Sequence, residues 1–111
     1  MHYKVAFASS DGELVNKNFI KANKFIIYEI GDNTAKYLEE RTKKRVNKRF
    51  ENSEDILDKY IKGISDCRAI FVDSANNNEL QVLKSRGIKV FNQYRFINEV
   101  IGKILSSTLE I

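Results

Sequence analysis

The N-terminal part of the sequence carries an apolar run, a polar loop and a second apolar run, and this pattern constrains the fold most. Residues 5–8 read Val-Ala-Phe-Ala and stop at Ser-Ser-Asp-Gly, and the next apolar run starts at Phe25. Short apolar runs bounded by Ser, Asp and Gly are typical of strands that end in exposed loops. Because every residue of the first run is apolar, the sequence predicts a central strand buried on both faces of its sheet.

A turn signal follows the second strand. The tripeptide Gly31-Asp32-Asn33 is typical of a hairpin, which makes the second and third strands antiparallel neighbours. The third strand is polar and charged on both sides, as expected of a strand at a sheet edge. A flavodoxin-like parallel sheet, the alternative fold, would need a helix at this point, and the hairpin signal disfavours it.

Three helices and two further strands complete the chain. Ser53 offers an N-cap, and the two acidic residues after it suit the positive first turn of a helix. Asn76 and Glu79 have the spacing of a capping box, and Gly87 is a helix stop. The strands are predicted at residues 3–9, 24–30, 35–43, 69–72 and 88–91, and the helix stripes comprise Ile56, Leu57, Tyr60, Ile61 and Ile64 in the first helix and Phe96, Ile97, Val100, Ile101, Ile104 and Leu105 in the last.

The element order βββαβαβα predicts a three-layer α/β fold. Its mixed five-stranded sheet has the spatial order 3-2-1-4-5, and right-handed crossovers place helices on both faces. The length of 111 residues, with 42% hydrophobic and 31% charged residues, fits one globular domain. The apolar runs are too short to span a membrane, and Met1 leads into a strand without a signal peptide, so we expect a cytoplasmic protein with no membrane partner.

The N-terminal segments resemble the dinitrogenase iron-molybdenum cofactor biosynthesis family, the NifX-like proteins and the tail domain of NifB, whose pattern is AFAT-DG, VN-HFG-RA and F-IYE. The resemblance covers nearly the whole chain and implies a single NifX-like domain over residues 1–111. It also implies a ribonuclease H-like fold and a non-catalytic carrier of a metal cluster, its precursor or another anionic ligand, with nitrogenase-assembly proteins as partners. The matching residues are Val15, Asn16, Phe19, Ala22, Phe25, Ile27, Tyr28 and Glu29, together with Asp66-Cys67 and Gly87-Ile88.

The predicted topology also suggests a ligand site. The first and fourth strands are parallel neighbours whose outgoing connections leave in opposite directions, and ligands favour the crevice beyond such strand ends. The helix after the fourth strand adds backbone N–H groups and a partial positive charge, which suit an anion. The alternative is that these short polar residues only turn and cap the chain. The candidate ligand-binding residues are Ser9, Ser10, Asp11, Gly12, Asn18, Lys21, Asp73, Ser74, Asn76 and Asn77.

One departure from the family pattern bears on the ligand. The family has a His-Phe-Gly triplet where this chain has Asn18-Phe19-Ile20. Through its imidazole, the triplet implies an iron-sulfur or iron-molybdenum cluster as cofactor, and Asn is a poorer ligand for such metals. Cys67 is expected to lie roughly 16 Å from the crevice, at the start of the fourth strand. His2 is the one histidine of the sequence, and its position at the N-terminus makes it a poor candidate for a metal ligand. The sequence therefore leaves the metal ligands unassigned.

Two other functions are open on the sequence. Asp11 and Asp73 are expected at neighbouring strand ends and are the candidates to share Mg²⁺ in a metal-dependent nuclease. The net charge of +4 is concentrated in one basic segment, and such a segment is typical of a nucleic-acid-binding module. Few aromatic residues accompany it, so nucleic acid is not the expected partner. This basic segment comprises Lys36, Arg41, Lys43, Lys44, Arg45, Lys48 and Arg49.

Overall fold

The computed structural model describes residues 2–42 and 53–111. In this part of the chain the sheet has five strands, and their spatial order is 3-2-1-4-5, as predicted. The elements are β1 (Tyr3–Ala8), β2 (Lys24–Gly31), β3 (Thr34–Thr42), α1 (Ser53–Lys62), β4 (Cys67–Val72), α2 (Asn77–Ser85), β5 (Lys89–Asn92) and α3 (Ile97–Leu105). The mixed sheet is confirmed, and the ribonuclease H-like assignment stays a prediction.

Strand β1 is central, as its apolar run predicts. It pairs antiparallel with β2 and parallel with β4, so that Phe7 lies opposite Ile26 on one side and Phe71 on the other. Its side chains alternate between two separate cores, because successive residues of a strand point to opposite faces. Val5 and Phe7 enter one core, and Ala6 and Ala8 enter the other.

Helices cover both faces of the sheet. Leu57 and Ile61 of α1 and Leu83 of α2 pack on the face that contains Ala6. Val100 and Ile104 of α3 pack on the opposite face. The predicted arrangement of helices on both faces is therefore confirmed.

The hairpin between β2 and β3 confirms the turn signal. Asp32 and Asn33 have φ values of 52° and 60°, and Gly31 pairs with Thr34, so the turn has two central residues with left-handed backbone. Asn and Asp reach this conformation more easily than other non-glycine residues. Strand β3 is a sheet edge with largely exposed side chains, and an irregularity opposite Ile27 and Tyr28 shifts its register. Bulges and charged residues of this kind protect an edge from pairing with another chain.

The structure corrects two helix boundaries. Ile64, predicted in the apolar stripe of the first helix, is buried in the turn after α1, which ends at Lys62. Phe96 was predicted in the apolar stripe of the last helix, but it is the N-cap of α3 and 53% exposed. Strand β4 begins two residues before the predicted start at Ala69, because Cys67 pairs with Lys4 of β1. The predicted roles of the Ser53, Glu54 and Asp55 side chains, of Ile56 in its stripe and of residues 43–49 lie outside the described part of the structure. None of the described helices has the length and apolar composition needed to cross a membrane.

A candidate ligand site at the C-terminal edge of the sheet

The loop that follows β1 is held by a buried serine and an aspartate. Ser9 is fully buried, and its Oγ donates to Asp11 Oδ1 at 3.1 Å and accepts from the Gly12 N–H at 2.9 Å. Asp11 Oδ1 also accepts from the N–H groups of Glu13 and Leu14 at 2.9 and 3.0 Å. These backbone donors, Leu14 first, lower the pKa of Asp11 below its ordinary value. Gly12 has φ +81°, which favours glycine at this position.

A second pair of residues ties the start of the same loop to its middle. The Ser10 N–H donates to Asn16 Oδ1 at 3.0 Å, and Asn16 Nδ2 donates to Ser10 Oγ at 2.8 Å. The Asn16 N–H in turn donates to the carbonyl of Ala8 at 3.3 Å, at the end of β1. Ser10 therefore has a fixed position although its side chain is exposed.

Asn18 caps a short turn. Its Oδ1 accepts from the Lys21 N–H at 2.7 Å, and its backbone carbonyl accepts from the Ala22 N–H at 3.1 Å. Phe19 and Ala22 anchor this turn in the core. Ile20 has a negative φ, so the turn does not need the glycine that the family pattern has at this position.

The loop joins the ends of β1, β4 and β5 into one surface. The Asp73 N–H, just beyond β4, donates to the Lys17 carbonyl at 3.0 Å. The Val15 N–H donates to the Arg95 carbonyl at 2.9 Å, and the Ile97 N–H donates to the Glu13 carbonyl at 2.7 Å. The predicted juxtaposition of the two loops is thus made by Lys17 and Asp73, whereas the described side-chain bonds of residues 9–12 stay within their own loop.

The start of α2 forms the other side of the candidate site. Asn76 Oδ1 accepts from the Glu79 N–H at 2.8 Å, and the Asn76 N–H donates to Glu79 Oε2 at 3.2 Å, which confirms the predicted capping box. Ser74 Oγ donates to Asp73 Oδ1 at 3.0 Å. Asn77 is the first residue of α2 and is exposed. Glu79 is 5% exposed and places a carboxylate at the positive end of the helix.

The amide side chains at this edge share one orientation. Asn16, Asn18 and Asn76 each direct Oδ1 at a backbone N–H. Among the described residues, no acceptor is bonded to Nδ2 of Asn18 or Asn76. Lys21 is exposed beside Asn18 and adds positive charge. The edge therefore presents amide N–H groups and a cation beside the carboxylates of Asp11 and Asp73.

The residues with soft-metal ligands lie at the opposite end of the sheet. Cys67 pairs with Lys4 at the start of β4, and burial raises the pKa of its thiol to about 12, which keeps it protonated. His2 Nε2 lies 3.0 Å from Asp32 Oδ2 at the hairpin, and the His2 ring occupies the space where a Cβ on Gly31 would lie. Within residues 2–42 and 53–111, no group of three or more His, Cys, Asp or Glu residues is arranged to hold a metal ion. The described donor set therefore does not fit direct coordination of an iron-sulfur or iron-molybdenum cluster at this edge.

One residue of the predicted basic segment has a structural role. Arg41 forms two hydrogen bonds to Asp66, at 2.6 and 2.8 Å, and a third to the Gly63 carbonyl at 3.2 Å. Its guanidinium is thus paired within the fold, and its place in a nucleic-acid surface stays a prediction. Lys36 is exposed on β3, and the other predicted cations lie outside the described residues.

Two features of this edge had no assigned role in the sequence. Asn16 matches the family pattern, and its bonds to Ser10 identify it as part of the loop's hydrogen-bond network. An open groove of about 680 Å³ lies between Leu14 and the segment from β5 to α3, with Tyr94 and Phe96 exposed on it. The only sequence signal for the groove was the cluster of aromatic and basic residues at 94–96.

Comparison with known sequences identifies relatives of this chain. The sequence model of the family described as "Dinitrogenase iron-molybdenum cofactor" matches residues 1–107. The FeMo cofactor biosynthesis protein NifB of Frankia alni is 30% identical over 103 residues, which are 90% of this chain and 20% of NifB. The chain therefore spans about a fifth of the length of this curated relative.

Solved structures share the same architecture. The crystal structure of PH0822 superposes with a TM-score of 0.72 at 24% identity, over 97% of this chain and 93% of that chain. The apo form of the orange protein from Desulfovibrio gigas superposes with a TM-score of 0.68 at 14% identity, over 98% of this chain and 92% of that chain. At these identities the likeness shows the fold alone.

Proposed function

This chain belongs to the dinitrogenase iron-molybdenum cofactor family, and on that premise we propose that it is a non-catalytic binding or carrier protein in the assembly of the nitrogenase cofactor. Its cargo is a metal cluster, a precursor of that cluster or another anionic ligand. Its partners are the nitrogenase-assembly proteins that deliver and receive this cargo. The binding surface is the edge formed by the ends of β1 and β4 and the start of α2.

The orientation of the asparagine side chains carries this proposal. With Oδ1 used by a backbone N–H, Asn18 and Asn76 each offer Nδ2 as a hydrogen-bond donor. Donors suit a ligand that is rich in acceptors, such as a sulfide or an oxyanion. The positive charge of Lys21 supports the same class of ligand, because hydrogen bonds to charged groups are stronger than neutral ones.

The mode of binding follows from the donor set. Imidazole and thiolate ligands are missing from the described part of this edge, so the cargo is held by hydrogen bonds and charge. Proteins commonly place hydrogen bonds on the sulfur atoms of a cluster, where these bonds help to set its reduction potential. Such a site releases its cargo more readily than one that forms metal–ligand bonds, which suits a carrier.

A titration with anionic probes tests the proposal. The probes are a synthetic iron-sulfur cluster anion, added anaerobically, and molybdate. We expect wild-type protein to bind at least one probe, and Asn18→Asp to weaken binding about tenfold or more, because the variant keeps the cap on the Lys21 N–H but replaces the Nδ2 donor with a carboxylate oxygen. The matched control is Asn33→Asp, which adds the same charge at the distant hairpin. Lack of binding by wild type, or equal loss in both variants, would contradict the proposal.

A second variant tests whether an imidazole at position 18 provides the metal coordination that Asn18 does not. Asn18→His restores the imidazole of the family triplet, and we expect it to bind the iron-sulfur probe more tightly than wild type while molybdate binding does not improve. The substitution also removes the cap on the Lys21 N–H, so thermal unfolding of both proteins is measured first. Tight stoichiometric cluster binding by wild type that survives Asn18→Ala would show that the site is elsewhere.

The nuclease alternative has weaker support. One oxygen of Asp11 is committed to three hydrogen-bond donors in its own loop. Cleavage of DNA or RNA by wild-type protein with Mg²⁺, lost in Asp11→Asn, would overturn the non-catalytic proposal.

A further inference from the structure

The hydroxyl group of Ser10 has one proton, and the hydrogen bonds of the loop exclude one direction for it. A backbone N–H can only donate, so the Asn16 atom 3.0 Å from the Ser10 N–H is the carbonyl oxygen of the side chain. The other end of this amide is therefore the NH₂ group, which lies 2.8 Å from Ser10 Oγ and donates to it. Because Ser10 Oγ accepts this bond, its own proton must point away from Asn16.

The neighbouring serine has no such proton to offer. Ser9 Oγ donates to Asp11 and accepts from Gly12, and the residue is fully buried. Ser10 is exposed, and the described residues provide no acceptor for its hydroxyl proton. Ser9 is thus a structural residue, and Ser10 presents a donor at the surface.

The position of this donor places it in the candidate site. The Asn16 N–H donates to the Ala8 carbonyl at the end of β1. The next residue, Lys17, accepts from the N–H of Asp73 at the end of β4. The Ser10–Asn16 pair therefore lies where the two parallel strands end side by side.

We propose that the Ser10 hydroxyl donates a hydrogen bond to an anionic ligand and that Asn16 is the positioning residue that directs its proton toward that ligand. This inference rests on the proposed function. Asn16 acts through Ser10 and does not itself contact the ligand. The ligand is an anion with exposed acceptor atoms, such as a cluster sulfide or an oxyanion.

Two substitutions test the two roles separately. Ser10→Ala removes the donor and keeps the backbone N–H that bonds to Asn16. Asn16→Asp keeps the acceptor for that N–H but replaces the Nδ2 donor with an oxygen, so the Ser10 proton turns inward to the carboxylate. The control for the lost hydroxyl is Ser65→Ala, because the Ser65 hydroxyl donates to the Lys62 carbonyl near the start of β4. The control for the added charge is Asn33→Asp.

The measurement is the affinity for molybdate and for a synthetic iron-sulfur cluster anion, together with hydrogen exchange of the Ser10 amide. We expect Ser10→Ala to weaken binding of the probe that wild type binds about tenfold, and Asn16→Asp to weaken it at least as much, while both controls bind as wild type does. We expect the Ser10 amide to stay protected in Asn16→Asp, since its bond is kept. Because the new carboxylate also repels an anionic probe, the role of Asn16 is judged in the double variant Ser10→Ala/Asn16→Asp. Repulsion alone costs the same affinity with or without the Ser10 hydroxyl, whereas loss of the directed proton costs less affinity once the hydroxyl is absent.

The outcomes separate this inference from the proposed function. If wild type binds a probe and Ser10→Ala binds it equally well, the inference alone is wrong. If the Ser10 amide loses its protection in Asn16→Asp, that variant has disturbed the loop. The affinity of Ser10→Ala alone then decides whether the inference is right. If wild type binds neither probe, the proposed function is overturned, and the role of Ser10 falls with it.

Discussion

At the scale of single residues, Cys67 and Asn18 show how a side chain with binding chemistry is used for structure. Cys67 is 4% exposed at the start of β4, so its sulfur fills space in the core around α1 and α2. Burial, and then the negative charge of Asp66, raise the pKa of this thiol. Asn18 uses its carbonyl oxygen to cap a turn, which leaves only its NH₂ group unbonded among the described residues. Neither residue is arranged as a metal ligand.

The state of Cys67 leads to a prediction about its reactivity. The thiolate is the reactive species, and a pKa of about 12 leaves almost none of it at neutral pH. We expect iodoacetamide at about pH 8 to leave the folded protein unmodified over a period in which the denatured protein is fully alkylated. Mass spectrometry measures the modification, and the same sample in guanidinium chloride is the control. Rapid alkylation of folded protein would show that the thiol is accessible.

At the scale of elements, an ion-pair network joins β3, β1 and the connection from α1 to β4. Asp66 accepts two hydrogen bonds from Arg41 of β3 and one from Lys4 Nζ of β1 at 3.1 Å. The Arg41 guanidinium is the main cause that lowers the pKa of Asp66 and keeps it ionised. The network therefore fixes the edge strand to the central part of the fold.

This network predicts a pH dependence of stability. The pKa of Asp66 is lower in the folded protein than in the unfolded chain, so its contribution is present above about pH 4 and is lost as the pH falls toward the folded pKa. We expect Asp66→Asn to lower the free energy of unfolding at pH 7 by about 1 kcal/mol or less, because the side chain is 45% exposed and solvent screens the pair. Urea unfolding at several pH values measures the difference between the two proteins, which should shrink below about pH 4.

The control for this measurement is Glu110→Gln. Glu110 is exposed, and within the described residues it has no ion pair, so its substitution should change stability little at any of these pH values. A constant difference between wild type and Asp66→Asn down to the lowest pH would show that the carboxylate charge is not the cause.

At the scale of the whole molecule, the sheet separates two cores, and one of them contains a stack of aromatic rings. Phe71 of β4 lies between Phe7 of β1 and Phe91 of β5, with ring centroids 4.9 and 5.1 Å apart. All three rings belong to the core covered by α3. The stack joins three neighbouring strands and supports the edge on which the candidate site lies.

The stack predicts a graded loss of stability. Phe71 is fully buried, so Phe71→Ala should lower the free energy of unfolding by about 3–5 kcal/mol through lost transfer energy and a cavity. Phe91 is only partly buried on the edge strand β5, so Phe91→Ala is the matched control and should cost less. Denaturant unfolding followed by circular dichroism measures both. An equal or smaller loss in Phe71→Ala would contradict the central position of this ring.

The elements and their order could be predicted from the sequence, because the signals for them are local. The left-handed turn residues at 32 and 33, the Asn76–Glu79 capping box and the apolar run of β1 each depend on neighbours within a few positions. The sequence also identified the strand ends that form the candidate site, since parallel pairing of β1 and β4 follows from the element order.

Which atoms of these residues remain free to bond could not be predicted, because it depends on contacts made in the folded chain. The bond from Asp73 to Lys17 and the pairing of Arg41 with Asp66 join residues that are distant in sequence, and no local pattern encodes them. Phe96 follows the apolar spacing of α3 but is left exposed at its N-cap, because burial depends on what packs against a position. The direction of the Ser10 proton likewise depends on Asn16, whose amide is oriented by the folded loop. Hydrogen-bond partners and burial are properties of the folded chain. They determine which polar side chains keep a donor that is free to bind a ligand.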